Sequence, residues 1–205
     1  MMKTAKTPMK ANVSSAPDNP YIYSIAKKYY KHARKHLTEH EVNAIFNAGE
    51  KAYYQRTELN RFFTIHYDDY ADRKHPQAFI TNIMDKTRKW LQYRGLPVAY
   101  LYVIENSKTK GIHAHILIHI PAHNQIPYKK ALKAWLPINS PKTIVNVQPI
   151  KYPLYGDLSP LNCIYGRLRY ICKGIDPKVK AKGIRPRNQG IIIGKRWGIS
   201  KSLQA

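Results

Sequence analysis

Residues 111–121 read Gly-Ile-His-Ala-His-Ile-Leu-Ile-His-Ile-Pro, a strict two-residue alternation. Successive side chains of a strand point to opposite faces. Ile112, Ala114, Ile116, Ile118 and Ile120 therefore share one apolar face, which requires a core to cover it. His113, His115 and His119 share the other face with Leu117. His113 and His115 stand one pleat apart on a strand backed by that core, which makes half of a site for a divalent cation.

The surroundings of this strand are strongly basic. The 205 residues carry 35 Lys and Arg against 12 Asp and Glu, a formal charge of +23, which attracts polyanions. Hydrophobic residues make up 43% of the chain, enough for one domain with a core plus tails. No apolar run reaches the roughly 18 residues of a membrane span. Sixteen Tyr and three Trp among the basic residues suit stacking on exposed bases, so the polyanion is read as nucleic acid rather than a membrane surface. The basic N-terminus lacks the apolar stretch of a secretory signal. Cys163 and Cys172 fall on opposite sides of one predicted helix and cannot bridge each other, which fits a reducing cytoplasm.

Residues 1–18 read as a basic disordered tail and 19–60 as a helical extension. Asn19-Pro20 caps a helix with Ile22, Ile25, Ala26, Tyr29 and Ala33 at helical spacing. A second helix starts at Thr38, where Glu41 completes a capping box. The core domain spans 61–174. In it, Arg61 to Tyr67 is a strand, Pro76 to Gly95 an amphipathic helix, and Val98 to Glu105 a central strand. The histidine strand, a helix from Pro127 to Leu136, a strand from Thr143 to Ile150 and a helix from Ser159-Pro160 to about Lys173 follow. Residues 175–205 read as a basic C-terminal extension. The order predicts an α+β fold, a central antiparallel sheet flanked by helices.

The polar segment from Asn106 to Gly111 joins the strand ending at Glu105 to the histidine strand. A hairpin centred on residue 109 sets Glu105 directly across from His113, on the same face. One carboxylate beside two imidazoles is a three-ligand set with open positions for Mg²⁺ or Mn²⁺ and a phosphate oxygen. That combination favours a ligand cluster over a merely polar sheet face. His119 lies too far along the strand to share the ion and reads as structural or DNA-facing. His66, on a separate strand, is a possible flank of the site.

On the last helix, Leu161, Ile164, Leu168 and Ile171 form an apolar stripe at 100° per residue. Tyr170 lies opposite it with Lys173 about 60° away, so a phenol and an ammonium project together from the unburied face. Tyr165 lies nearer the stripe and reads as a packing residue. A phenol with a pKa near 10 attacks only when deprotonated or offered a strongly polarised phosphate. A cation and an ammonium beside it supply both conditions.

These residues together resemble the HUH endonucleases, in particular the rolling-circle replication initiators of small plasmids and single-stranded DNA phages. His113-Ala114-His115 resembles their His-hydrophobic-His motif, and Glu105 stands where many members carry a third metal ligand. Tyr170-Ile171-Cys172-Lys173 is similar to their Tyr-x-x-Lys motif, and Phe62-Phe63-Thr64-Ile65 to their first strand motif. Gly166 and Gly174 occupy the positions four residues either side of Tyr170, so the resemblance is to single-tyrosine members. It implies metal-dependent, site-specific nicking and rejoining of single-stranded DNA at a replication origin. Tyr170 would form a 5′-phosphotyrosine adduct with Lys173 assisting. Gly190 to Arg196 lacks the spacing and the hydroxyl residue of a P-loop, so unwinding falls to a host helicase and synthesis to a host polymerase. Arg167, Arg169, Lys195 and Arg196 are candidate DNA contacts. A single-tyrosine transposase, a mobilisation relaxase and a non-catalytic nucleic-acid binder remain as alternatives.

Overall fold

In the computed structural model, which describes residues 33–67, 76–108, 110–136, 148–150 and 160–204, the histidine segment lies at the centre of a five-stranded antiparallel sheet. The described elements in chain order are β1 (Ala33–Arg34), α1 (Glu39–Tyr54), β2 (Arg61–His66), α2 (Pro76–Tyr93), β3 (Tyr100–Ser107) and β4 (Gly111–Ile118). After them come α3 (Gln125–Trp135), β5 (Gln148–Pro149), α4 (Pro160–Ile171), β6 (Ile192–Ile193) and β7 (Trp197–Ile199). The sheet order is β5-β2-β4-β3-β7, and β1 pairs separately with β6. The fold is α+β, with helices on both sheet faces. The tail at 1–18, the helix expected from Asn19-Pro20 and most of the strand expected from Thr143 lie outside the described residues.

The period-two pattern sorts two cores onto the two faces. Ala114, Ile116 and Ile118 of β4 join Phe63, Ile65 and Ile104 beneath Ile80, Ile83 and Leu91 of α2 and Leu132 of α3. On the other face Leu117, Phe62, Leu101 and Val103 meet Val42, Ile45 and Phe46 of α1 and Ile164, Leu168 and Ile171 of α4. Each buried aliphatic side chain contributes about 1.5–3 kcal/mol of burial, so both faces are firmly anchored. Helices α1 and α4 pack closely at Gly49, where an added Cβ would stand 2.7 Å from Leu168 Cδ1.

The local signals for helix ends hold. Thr38 N–H donates to Glu41 Oε2 at 2.9 Å and Glu41 N–H to Thr38 Oγ1 at 3.2 Å, the reciprocal capping box. Helix α2 closes at Gly95, whose φ of +64° ends the helix while Leu96 N–H bonds back to Leu91 O. Helix α3 begins at Gln125 rather than Pro127, since the first turn has free N–H groups anyway and tolerates the proline. Strand β3 runs two residues past Glu105, because Asn106 and Ser107 still find antiparallel partners in Ile112 and Gly111. Ala33 is extended rather than helical, paired with Ile193.

Two stretches expected as appendages are built into the core. The described part of the N-terminal extension supplies α1, which covers one sheet face. Residues 175–205 supply β7, which pairs with β3 through Leu101–Ile199 and Val103–Trp197, and β6. Arg196, expected at the DNA surface, is only 1% exposed. Its guanidinium donates to the carbonyls of Lys35, Gly190 (3.2 Å), Gln189 (2.9 Å) and Ile104 (3.3 Å), tying three segments together. A charge sequestered in this way carries a structural load and does not contact DNA. Cys163 and Cys172 are both free thiols. Among the described residues no helix is long and apolar enough to cross a membrane.

Candidate metal centre and tyrosine site

The hairpin register decides the site. Glu105 pairs with His113 and Val103 with His115 across β3 and β4, and on the other side His66 pairs with His113 and Thr64 with His115. Odd residues of β3 and β4 and even residues of β2 therefore face α4. Glu105, His113 and His115 are 1–2% exposed, and one ligand atom from each lies within 4.8 Å of the others.

The hydrogen bonds fix what these groups present to one another. His113 Nδ1 lies 3.0 Å from Gly111 O, and a carbonyl only accepts, so Nδ1 carries the proton and Nε2 faces Glu105. His115 Nδ1 lies 2.8 Å from Thr64 Oγ1, a hydroxyl that accepts when Nδ1 is the protonated nitrogen. Such outer partners fix the tautomer of a metal-binding imidazole. Burial pushes the His115 pKa down, Lys173 adds to that, and Glu105 opposes it without reversing it. Its imidazole stays neutral near pH 7. Burial also disfavours the Glu105 carboxylate, but hydrogen bonds from His113 and His115 and the Lys173 charge outweigh it and hold the carboxyl well below the usual range.

Glu105 Oε2 sits 3.2 Å from His113 Nε2 and 3.4 Å from His115 Nε2. A carboxylate and two nitrogen lone pairs at that spacing repel unless a proton or a cation lies among them. Moreover, Glu105 Oε1 and His115 Nε2 are buried with no hydrogen-bond partner among the described residues. Two orphaned acceptors in a two-imidazole, one-carboxylate cluster are what a divalent ion would satisfy, so the residues present fit such an ion.

The wall above the cluster comes from α4. The Tyr170 ring lies 5.2 Å from that of His115 and 6.0 Å from that of Phe62, and its side chain is 42% exposed. The phenol thus borders the buried cluster while open to solvent. Lys173, predicted to project outward, instead turns inward and is only 13% exposed. Its Nζ lies 2.9 Å from Glu105 Oε2 and 3.9 Å from the Tyr170 ring centroid, because the unbalanced carboxylate draws the ammonium in. Tyr165 faces away, stacked on Phe46 at 5.8 Å with its hydroxyl donating to Glu50 at 2.7 Å.

Residues 60–155 match the family model of the replication-associated proteins of the ORF2 type. That stretch takes in β2, β3 and β4, hence all three candidate ligands, and stops before α4 with Tyr170. No curated protein and no solved structure matches the chain.

Three further residues belong to this site. Thr64 orients His115, Phe62 stacks on the His115 ring at 5.4 Å, and His66 stacks on His113 at 5.5 Å. The alternation of Arg-Phe-Phe-Thr-Ile-His already puts 62, 64 and 66 on one face. Only the pairing of β2 with β4 reveals that this face is the histidines' own. Of the other expected contacts, His119 is structural, its Nδ1 2.8 Å from Glu58 O. Arg167 sits 5.3 Å from the Phe62 ring beside the site, Arg169 is exposed on α4, and exposed Lys195 lies away on the sheet edge over Trp197.

Proposed function

We propose that the chain is a replication initiator that nicks and rejoins single-stranded DNA at an origin, with Tyr170 as nucleophile. The observation that carries this reading is the position of an accessible phenol 5.2 Å, ring to ring, from an imidazole of a buried two-histidine, one-carboxylate cluster. The match of residues 60–155 to replication-associated proteins supports replication over transposition or mobilisation. A Mg²⁺ or Mn²⁺ ion held by Glu105, His113 and His115 would polarise the scissile phosphate and steady the charge that develops on it.

The chain's own groups do the rest. The Tyr170 oxygen, having lost its proton, attacks phosphorus, and the bond to the 3′ oxygen breaks. The 3′ oxygen takes up a proton, and the 5′ side stays on the protein as a phosphotyrosine. One phosphate ester is exchanged for another, so attack by a 3′-hydroxyl reverses the step and seals the strand. The Lys173 ammonium over the Tyr170 ring favours the phenolate and meets phosphate charge. Arg167, Arg169 and the exposed Lys178, Lys180, Lys182, Arg185 and Arg187 provide a cationic approach, with Asp176 the one carboxylate between residues 167 and 187. Host helicase and polymerase would supply unwinding and synthesis.

The test is incubation of end-labelled single-stranded origin DNA with Mn²⁺, followed by denaturing electrophoresis. We expect a detergent-resistant protein–DNA adduct that disappears in Tyr170→Phe and with chelator. An undiminished adduct in Tyr170→Phe would remove Tyr170 from the mechanism.

A further inference from the structure

A cavity of about 400 Å³ lies between α1 and the β7 edge, and the tyrosine chemistry makes no use of it. One wall is a single stripe of α1, where His40, Asn43, Asn47 and Lys51 recur every three to four residues. This stripe is polar while the opposite face of α1 is buried in the core, so nothing in the fold itself demands those residue types. The other wall carries Trp197 and, beyond it, Lys195. Trp197 pairs with Val103 and so faces the same side of the sheet as Glu105. Among the described residues no carboxylate lines the cavity.

We propose that this groove holds a nucleotide of the DNA strand, distant from the scissile phosphate, with its base on Trp197. The assignment rests on the nickase reading for the identity of the strand. The chemistry of the lining supports it in three ways. A half-buried indole is a rigid stacking platform, and every base has a π-face to offer it. Asn43 and Asn47 present both donors and acceptors, which suits base edges. Lys51 and Lys195 bring cations to the rim: Lys51 Nζ is held by Gln204 O, and Lys195 Nζ stands 4.5 Å from the Trp197 ring centroid. An incoming base would replace the ammonium on the ring and release it toward a phosphate. The cavity is also of the size that small ligands fill, about 300–1,000 Å³.

The experiment uses the full chain in EDTA, titrated with a dT oligonucleotide and followed by tryptophan fluorescence and by anisotropy of a labelled strand. Trp197→Phe, which leaves Trp90 and Trp135, isolates the signal from the groove. We expect binding to quench the Trp197-dependent emission. Asn47→Asp, an exposed change that adds a repelling charge, should weaken binding about tenfold. Lys51→Ala combined with Lys195→Ala should lower the log-log salt slope by roughly 1.4, at about 0.7 per cation for single strands. Strand binding with no Trp197-dependent quenching would overturn the assignment. So would quenching by dTMP alone at the affinity of the oligonucleotide, which would make the groove a free-nucleotide pocket. The adduct assay runs separately: adduct without quenching removes the groove alone, and quenching without adduct removes the nickase and leaves the groove as a nucleotide site.

Discussion

The inward turn of Lys173 onto Glu105 has a measurable energetic consequence. Two unit charges 2.9 Å apart attract by roughly 6 kcal/mol at an effective dielectric of about 20. Desolvation of each buried ion takes back several kcal/mol, so the net worth of the pair is far smaller than its attraction. Removing one partner is a different matter, since it strands the other. Glu105→Gln leaves an ammonium that is 13% exposed above two imidazoles. Loss of a buried partner costs about 3–5 kcal/mol. The residual exposure of Lys173 places this variant near the lower end. Lys173→Met should cost less, because His113 and His115 can still supply a balancing proton to Glu105. The double variant buries no unpaired charge, so the two losses should fall short of additivity by about 2 kcal/mol. The assay is urea denaturation of all four proteins in EDTA at pH 7, with matched m-values as the control for unchanged unfolding. Additivity within about 0.5 kcal/mol would refute the argument, because it would mean that the ammonium and the carboxylate do not sense each other.

Acidification should destabilise the metal-free protein. The carboxyl of Glu105 lies below its ordinary value near 4.5 and His115 lies below 6.5, so the unfolded chain binds both protons first. Their contributions are present above those values and drain as pH falls, so urea midpoints should drop from pH 7 to pH 4; a rise would contradict the sign. Thr64→Val removes the group that orients His115 while leaving all three ligands, and should weaken Mn²⁺ binding by calorimetry about 10–100-fold. Unchanged affinity would show that the hydroxyl does not set the imidazole. Arg196→Met should destabilise the fold by roughly 3–5 kcal/mol in urea, because carbonyls of three segments lose their donor. Wild-type stability would return Arg196 to the surface.

The local and short-range features were legible in the sequence because their causes are local. The alternation of residues 112–120 decided which face of β4 is buried, the Thr38/Glu41 pair decided where α1 begins, and the short polar loop decided that Glu105 meets His113. What lay beyond reach depended on pairing between distant segments. Nothing in residues 61–66 says that they lie beside β4, so the roles of Thr64, Phe62 and His66 emerge only from the sheet order. Charge was the second blind spot: in a chain of +23, Arg196 and Lys173 look like surface cations. Whether a cation faces solvent or is drawn inward depends on which carbonyls and carboxylates the fold leaves unsatisfied. The sequence by itself thus determined the ligand triad and the helix that carries the tyrosine. The tertiary structure alone decided how these meet, and that the stretch from residue 175 onward, read as an appendage, completes the sheet that holds them, because backbone groups at the edge of β3 need partners from wherever the chain can bring them.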